Sequence, residues 1–447
     1  MKNWSAGYEI IRTYVRFSLW LTHKRIVVKG QQLIPKGKPI IFAPNHQNAL
    51  MDPLALACTN PYQSVWLARA DIFKSKKASS ILKYLKLLPV YRIRDGKDNL
   101  SNNEEIFSQV IHLLESKQTI ALFPEAAHSR KRQMLPHKKA IPRIALEAEA
   151  KNNFQLDLQI VPVGIYYSHY WKFNRTLIVE YGEPISVDRY KLEYSGNPQK
   201  AMISLRDEIY NRLSPLTLQI NSKIYYQEYE QICQLASEAY SQTHVFSNQA
   251  SLQLLAAKKE MVGKIEQIEN SRPERFEKLI EGTNNYFKAL ALANCSDEQI
   301  VLAEDAKWSL LFVKVFAVLC TLPLFAFGFV FNVVPFILPR TILRRKVKDI
   351  TFLSTFNFLT GLVAFPLFYL IAAYLLFVCI NSMQIAFIAL IAMPLVGKIT
   401  YQLLVFYRSV LHESTFLASY KSQRNAIKQL IVQRNRQIRS ILEEINN

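Results

Sequence analysis

The chain has 447 residues, enough for two or more domains, and its formal net charge of +20 favours an anionic partner. Half of its residues are hydrophobic and the densest apolar runs lie beyond residue 308, so an anionic lipid surface suits this charge better than nucleic acid does. The five cysteines form no CxxC pair, and no glycine-rich nucleotide loop or GxSxG segment occurs, which argues against a disulfide framework, the common nucleotide-binding motifs and a serine hydrolase of that type.

Near the start of the chain, residues 8–24 carry apolar side chains at helical spacing. Charged residues inside this run, among them Glu9, Arg12 and Arg16, exclude a signal peptide or a membrane-spanning helix. We predict an amphipathic helix that lies on the domain or on the bilayer surface, with an ordinary packed helix as the alternative.

From residue 26 onward, strand and helix patterns alternate. Short apolar runs predict strands at 26–30, 40–43, 119–123, 159–167 (interrupted by Pro162) and 177–185. Amphipathic patterns predict helices at 52–67, 79–88, 103–116 and around Ile144. This alternation predicts an α/β domain with a largely parallel sheet, in which the residues just past the strand ends build the site.

The segment 39–53 holds the first candidate site residues, because His46 follows the predicted strand 40–43 and Asp52 comes six residues later. An imidazole can take a proton from a hydroxyl near neutral pH, and a carboxylate on its other ring nitrogen fixes the tautomer. Six positions at about 100° each separate the two side chains around a helix, so the pair must meet across a turn. A polar turn without catalytic function is the alternative for this pair alone.

Four strand-end segments follow one another in the order APNHQNALMDP, PVYRIR, LFPEAAHSR and IVPVG. In this order they resemble the motifs of the glycerolipid acyltransferases, the family of lysophosphatidic acid and glycerol-3-phosphate acyltransferases, over residues 10 to about 187. The resemblance implies that His46 is the general base and Asp52 its partner. It further implies a set of substrate-binding residues, namely Asn45, Arg92, Arg94, Glu125, Ser129, Arg130, Lys138 and Pro162.

Within this set, the resemblance assigns the acceptor phosphate to Arg92, a planar bidentate donor, with Arg94 as the next candidate. Glu125 is expected to position the glycerol moiety. The sequence departs from the family at two places. Five residues rather than four separate His46 from Asp52, a spacing that resembles the branch acylating glycerol-3-phosphate or dihydroxyacetone phosphate, and Ala126 and His128 replace the glycine and arginine of FPEGTRS.

Beyond the predicted acyltransferase domain (1–190), residues 191–307 read as amphipathic helices of an adaptor region, and residues 308–410 as a membrane region. Segments 356–380 and 385–406 are long enough to span a bilayer. We predict that 308–339 forms a re-entrant hairpin bent between Pro323 and Pro335, because the basic loop after it favours the cytoplasmic side. Three plain spans are the alternative. The tail 411–447 is predicted to lie on the inner membrane surface as a basic amphipathic helix.

These patterns predict a multi-pass membrane O-acyltransferase whose catalytic domain is cytoplasmic. It would move a fatty acyl group from acyl-CoA or acyl carrier protein to a hydroxyl of glycerol-3-phosphate or 1-acylglycerol-3-phosphate, without a cofactor and without a metal. The expected partners are the lipid bilayer, the acyl donor and the phosphorylated glycerol or lysophospholipid acceptor, and no nucleic acid. The alternatives are acylation of another lyso-lipid head group, and a catalytically silent membrane scaffold on the same fold.

Overall fold

A computed structural model describes residues 4–91, 102–129, 131–346, 352–419 and 421–446. The chain forms two units: Met1–Gln219 with Val347–Thr355, and Ile220–Lys346 with Phe356–Asn447. The first unit is therefore built from two separate stretches of sequence. It contains the segment in which the candidate site residues were predicted.

An eight-stranded sheet forms the centre of the first unit. Its strands are β1 (His23–Lys29), β2 (Ile40–Pro44), β3 (Val65–Arg69), β4 (Leu87–Val90), β5 (Thr119–Ala121), β6 (Gln159–Tyr167), β7 (Arg175–Tyr181) and β8 (Ile185–Ser186). They lie in the order β1-β7-β6-β2-β5-β3-β4, with β8 also paired to β6. All pairings are parallel except those of β6 with β7 and with β8. The predicted α/β domain with a largely parallel sheet is confirmed.

The helices of this unit are α1 (Ala6–Thr22), α2 (Met51–Thr59), α3 (Lys76–Tyr84), α4 (Asn102–Glu115), α5 (Ala140–Lys151), α6 (Lys191–Gly196) and α7 (Pro198–Leu213). Strand β2 is buried along its whole length between β5 and β6, as its unbroken apolar run requires. Helices α4, α5 and α7 contribute apolar side chains to one core with the sheet. The core therefore holds β2 rigidly, and the residue that follows its end has a fixed starting point.

Three local predictions for this unit were wrong. Residues 65–69 form β3 rather than the end of a helix, since α2 stops at Thr59, before the turn that contains Pro61. Strand β6 continues through Pro162, because Pro162 lies where the antiparallel partner of β6 changes from β8 to β7. The missing N–H of proline therefore costs no ladder bond there. The unit also extends past residue 190, since α7 buries Leu205 and Ile209 in its core.

Helix α1 packs on the first unit with one face and exposes apolar side chains on the other. Arg16 Nε donates to Cys58 O at 3.0 Å, and Val15 and Leu19 are buried. Trp4, Ile10, Phe17 and Trp20 are exposed by 41–71%. The predicted amphipathic helix is confirmed, and we call its exposed face, together with Trp4 just before the helix, the α1 apolar face (Trp4, Ile10, Phe17, Trp20).

The second unit contains a helical region made of α8 (Tyr226–Thr243), α9 (Ala250–Ser271), α10 (Pro273–Leu292), α11 (Asp297–Glu304) and α15 (Lys421–Asn446). The tail helix α15 belongs to this region. Gln437 Nε2 donates to Leu279 O at 3.2 Å and to Thr283 Oγ1 at 3.0 Å, and Ile441 is fully buried. The apolar face of the tail therefore packs on α10, which corrects the prediction that it lies on the membrane surface.

Among the described residues, three helices are long and apolar enough to cross a membrane: α12 (Trp308–Lys346), α13 (Leu353–Ile380) and α14 (Met383–Ala418). All three belong to the second unit except for the first three residues of α13. Helix α12 runs without a break for 39 residues, so the predicted hairpin between Pro323 and Pro335 is wrong. A proline inside a helix removes its own N–H, and its ring clashes with the carbonyl four residues earlier, so it kinks an apolar helix without reversing its direction. Lys314 Nζ lies 2.6 Å from Glu413 Oε1, and this buried carboxylate joins α12 to α14.

Candidate active site

The candidate catalytic pair meets at the carboxyl end of β2. His46 follows the last strand residue, Pro44, by two positions, and Asp52 lies in the first turn of α2. His46 Nδ1 is 2.9 Å from Asp52 Oδ2. A carboxylate only accepts, so Nδ1 donates and the lone pair stays on Nε2. Asp52 is 1% exposed, whereas the His46 side chain is 15% exposed, so the imidazole is the reachable member of the pair.

The turn between the two residues is closed by Asp52 itself. Asp52 Oδ2 also accepts the backbone N–H groups of Gln47 and Asn48, both at 2.7 Å. Ala49 occupies the left-handed region at φ 41°, where the chain reverses before α2. The start of a helix also favours a negative charge. The five-residue spacing is thus accommodated by a left-handed turn residue, in agreement with the prediction that the pair meets across a turn.

Glu125 also holds the loop that carries His46. Its Oε1 accepts His46 N at 2.7 Å and its Oε2 accepts Leu135 N at 2.7 Å. Burial, with a smaller contribution from the charge of Asp52, raises the pKa of Glu125 to about 8, although the two N–H donors act in the opposite direction. Because each carboxylate oxygen holds a backbone amide, the structure gives Glu125 a positioning role toward His46.

An aromatic surface borders the imidazole. Phe123 stacks on His46 with ring centroids 3.9 Å apart and an interplanar angle of 17°. His128 lies edge-on to His46 at 5.2 Å, and Phe352 lies edge-on to His128 at 5.2 Å. Phe352 was missed in the sequence because no local pattern links a residue at the start of an apolar helix to a site near residue 46.

A buried polar network lies behind the pair. Arg175, 5% exposed, donates to the carbonyl oxygens of His169 and Tyr170, and its guanidinium lies 4.6 Å from the centroid of the Tyr167 ring. Burial, then the charge of Asp52, raise the pKa of Tyr167 well above that of an ordinary phenol, and the charge of Arg175 acts in the opposite direction. Burial lowers the pKa of Arg175, while Tyr167 and Asp52 favour its charged form. Arg175 is therefore a cation in electrostatic contact with the buried carboxylate.

The remaining predicted residues fall into two groups. Asn45 is buried, and its side-chain amide donates to Ile165 O at 3.1 Å and accepts Ile165 N at 2.6 Å, so it fastens β2 to β6. Pro162 is also buried, inside β6, and its carbonyl accepts Gly182 N. These two side chains have structural roles in the sheet and do not face the imidazole.

The second group lies nearer to the pair. Ser129 N donates to His46 O at 3.3 Å, and Lys138 is exposed beside the loop, with its backbone N bonded to Pro124 O. Ala126 is left-handed at φ 57°, which explains why the family has glycine at this place. Arg92, Arg94 and Arg130 lie outside the described residues.

Comparison with known proteins gives matches centred on this unit. Residues 25–166 match the family model described as Acyltransferase. Over 117 residues the chain is 33% identical to glycerol-3-phosphate O-acyltransferase 2 of Saccharomyces cerevisiae, covering 26% of this chain and 16% of the yeast protein. It is 24% identical over 219 residues to the 1-acyl-sn-glycerol-3-phosphate acyltransferase of Borreliella burgdorferi, covering 47% of this chain and 81% of that protein.

Among solved structures, the 1-acyl-sn-glycerophosphate acyltransferase of Thermotoga maritima matches 47% of this chain and 78% of its own, at 20% identity and a TM-score of 0.34. The chain spans 15–17% of the length of the yeast proteins it matches.

Proposed function

We propose that this chain, whose residues 25–166 form a domain of the acyltransferase family, transfers a fatty acyl group from a thioester to a hydroxyl of a phosphorylated glycerol. The observation that carries the proposal is the His46 Nδ1–Asp52 Oδ2 contact of 2.9 Å, with the imidazole as the accessible member of the pair. The acceptors we favour are glycerol-3-phosphate and 1-acylglycerol-3-phosphate, since relatives named for both occur among the matches. The donor would be acyl-CoA or acyl carrier protein.

The reaction follows from the orientation of the imidazole. Nε2 of His46 takes the proton of the acceptor hydroxyl as its oxygen attacks the carbonyl carbon of the thioester. Asp52, held by its helix start and two backbone amides, stabilises the imidazolium that forms. Collapse of the tetrahedral intermediate breaks the carbon–sulfur bond, and the thiolate leaves with the proton that His46 returns. No covalent acyl-enzyme is required in this scheme.

Membrane attachment suits an amphiphilic product. The three apolar helices α12, α13 and α14 and the α1 apolar face offer two independent contacts with a bilayer. We place the catalytic unit on the cytoplasmic side. The segment 340–348 holds five basic residues, and residues 352–355 a few positions later belong to the catalytic unit, so this basic loop and the catalytic unit share one side. Residues 1–219 of the same unit precede α12, so α12 would start and end on that side, in contact with the bilayer but without crossing it completely.

An acceptor panel tests the activity. The purified full-length protein in lipid vesicles is given labelled acyl-CoA or acyl carrier protein, together with glycerol-3-phosphate, dihydroxyacetone phosphate, 1-acylglycerol-3-phosphate or a lysophospholipid with another head group. We expect product with a phosphorylated glycerol and a loss of about two to four decades in kcat for His46→Ala. No turnover with any acceptor would favour the scaffold, and turnover that persists without His46 would contradict the mechanism.

Cysteine labelling tests the orientation separately. A single cysteine at position 343, in a variant without the five native cysteines, should resist an impermeant thiol reagent in intact cells and react after permeabilisation. Labelling in intact cells would place the basic loop outside and refute the orientation.

A further inference from the structure

The second stretch of the catalytic unit reaches the candidate site directly. Residues 352–355 comprise Phe352 and the first three residues of α13, and they follow the rest of the unit by more than a hundred positions. Ser354 and Thr355 are 9% and 7% exposed, which is unusual for the polar start of an apolar helix. Their burial requires partners within the unit, and one hydrogen bond to each residue supplies them, while Phe352 adds a third contact.

The first contact is with the turn that carries the catalytic pair. Thr355 Oγ1 accepts the backbone N–H of Leu50 at 3.2 Å. Leu50 is the N-cap residue of α2, two positions before Asp52. The first N–H groups of a helix have no intrahelical acceptor, so the threonine hydroxyl supplies a hydrogen-bond acceptor for the N–H of Leu50. Thr355 thereby fixes the start of the helix from which Asp52 extends.

The second and third contacts are with Arg175 and His128, two residues close to the His46–Asp52 pair. Ser354 Oγ accepts Arg175 Nη2 at 3.1 Å, so it holds the guanidinium whose charge acts on Asp52. Phe352 lies edge-on to His128, which is itself edge-on to His46. Three residues of one short segment, Thr355, Ser354 and Phe352, therefore contact the helix start, the buried cation and the aromatic surface, respectively.

We propose that residues 352–355 complete the acyltransferase site, as positioning residues supplied by the start of an apolar helix. This inference rests on the proposed function. A hydroxyl that orients the turn of Asp52 affects how well the pair is aligned for proton transfer, and small misalignments at a reacting centre lower turnover strongly. Among the described residues, the contacts given for this segment are with groups that we do not assign to donor or acceptor, so the effect should appear in kcat rather than in KM.

The test compares three substitutions in the full-length protein in vesicles. Thr355→Val keeps the shape of the side chain and removes the hydroxyl, and Thr355→Ser restores the hydroxyl. Thr360→Val makes the same chemical change five positions later on α13, in the part that belongs to the second unit. We expect Thr355→Val to lower kcat by about tenfold with both KM values within about twofold, and Thr355→Ser to recover most of the loss. Thr360→Val should match the unaltered protein.

Several outcomes would overturn the proposal: a Thr355→Val variant as fast as Thr360→Val, a Thr355→Ser variant as slow as Thr355→Val, or a change confined to KM. A lower kcat that comes with loss of protein from the vesicles or with a lowered unfolding temperature would also overturn it, since the segment would then act only through stability. Inactivity of the unaltered protein with every acceptor would instead contradict the proposed function, and the two failures are thereby distinguished.

Discussion

Asp52 Oδ2 both accepts the hydrogen bond of the His46 imidazole and closes the turn before α2, and two substitutions separate these two roles. Its Oδ2 accepts His46 Nδ1 at 2.9 Å and the N–H groups of Gln47 and Asn48 at 2.7 Å each. In Asp52→Asn the amide oxygen can occupy the Oδ2 position, so both backbone bonds survive and only the charge is lost. In Asp52→Ala the two backbone N–H groups, which are buried, lose their acceptor.

The magnitudes differ accordingly. A buried donor left without a partner costs about 1–3 kcal/mol, so Asp52→Ala should lower the free energy of unfolding by about 2–6 kcal/mol, and Asp52→Asn by about 1 kcal/mol. Turnover should fall in both, because neither neutral side chain stabilises the imidazolium that forms. We expect a loss of roughly 10²–10⁴ in kcat for Asp52→Asn.

Two measurements on the same vesicle preparations check this reasoning: initial rates at saturating donor and acceptor, and the urea midpoint of unfolding. The unaltered protein and Asp52→Asn should unfold at similar urea concentrations while differing by decades in rate. An Asp52→Asn variant that keeps a third or more of the turnover would refute the catalytic role. Equal stability of the Asn and Ala variants would refute the role of Oδ2 in closing the turn.

Three further predictions concern other residues. Arg92→Lys should raise KM for the acceptor more than for the donor, because an ammonium cannot reproduce a bidentate contact with phosphate, and an equal change in both constants would transfer this role to Arg94. Burial lowers the pKa of His137 from 6.5 to about 4, so the unfolded chain takes up its proton first and stability should fall as the pH drops from about 6.5 to about 4. Urea midpoints across this range should depend less on pH in His137→Phe, and an unchanged slope would contradict the assignment. Ala126→Gly should raise the free energy of unfolding by about 1 kcal/mol, since glycine adopts φ 57° without strain, and a less stable variant would show that the strain is absent.

Local patterns were sufficient to place the candidate catalytic pair, and insufficient to predict the residues that hold this pair in position. The run at Ile40–Ala43 is buried on both faces and therefore reads as a central strand, and the turn residues after it place His46 at the strand end. Strand β3 was missed because Val65–Arg69 has no alternation that separates a short buried strand from the end of a helix. Elements in contact with their sequence neighbours are predictable in this way.

The residues behind the pair depend on contacts that no local window contains. Arg175 stands at the start of a strand, where a charged side chain is usually solvated, yet here it is buried through partners on three other segments. Ser354 lies in the first turn of an apolar helix, and its sequence context gives no sign that it belongs to a sheet domain. Glu125 was expected to contact the acceptor, and its two backbone acceptor bonds become visible only when the loop at Leu135 is in place.

The division of the first unit into two stretches also sets an order of events during synthesis. A ribosome that has completed Gln219 must translate a further 127 residues, including all of α12, before Val347 is made. At about 5–20 residues per second this delay is roughly 6–25 s. If residues 352–355 complete the site, the nascent chain carries its catalytic pair throughout that interval without the contacts that align it. Under the proposed function, an apolar helix thus emerges before acyl transfer can begin, and the chain has by then had time to reach a membrane.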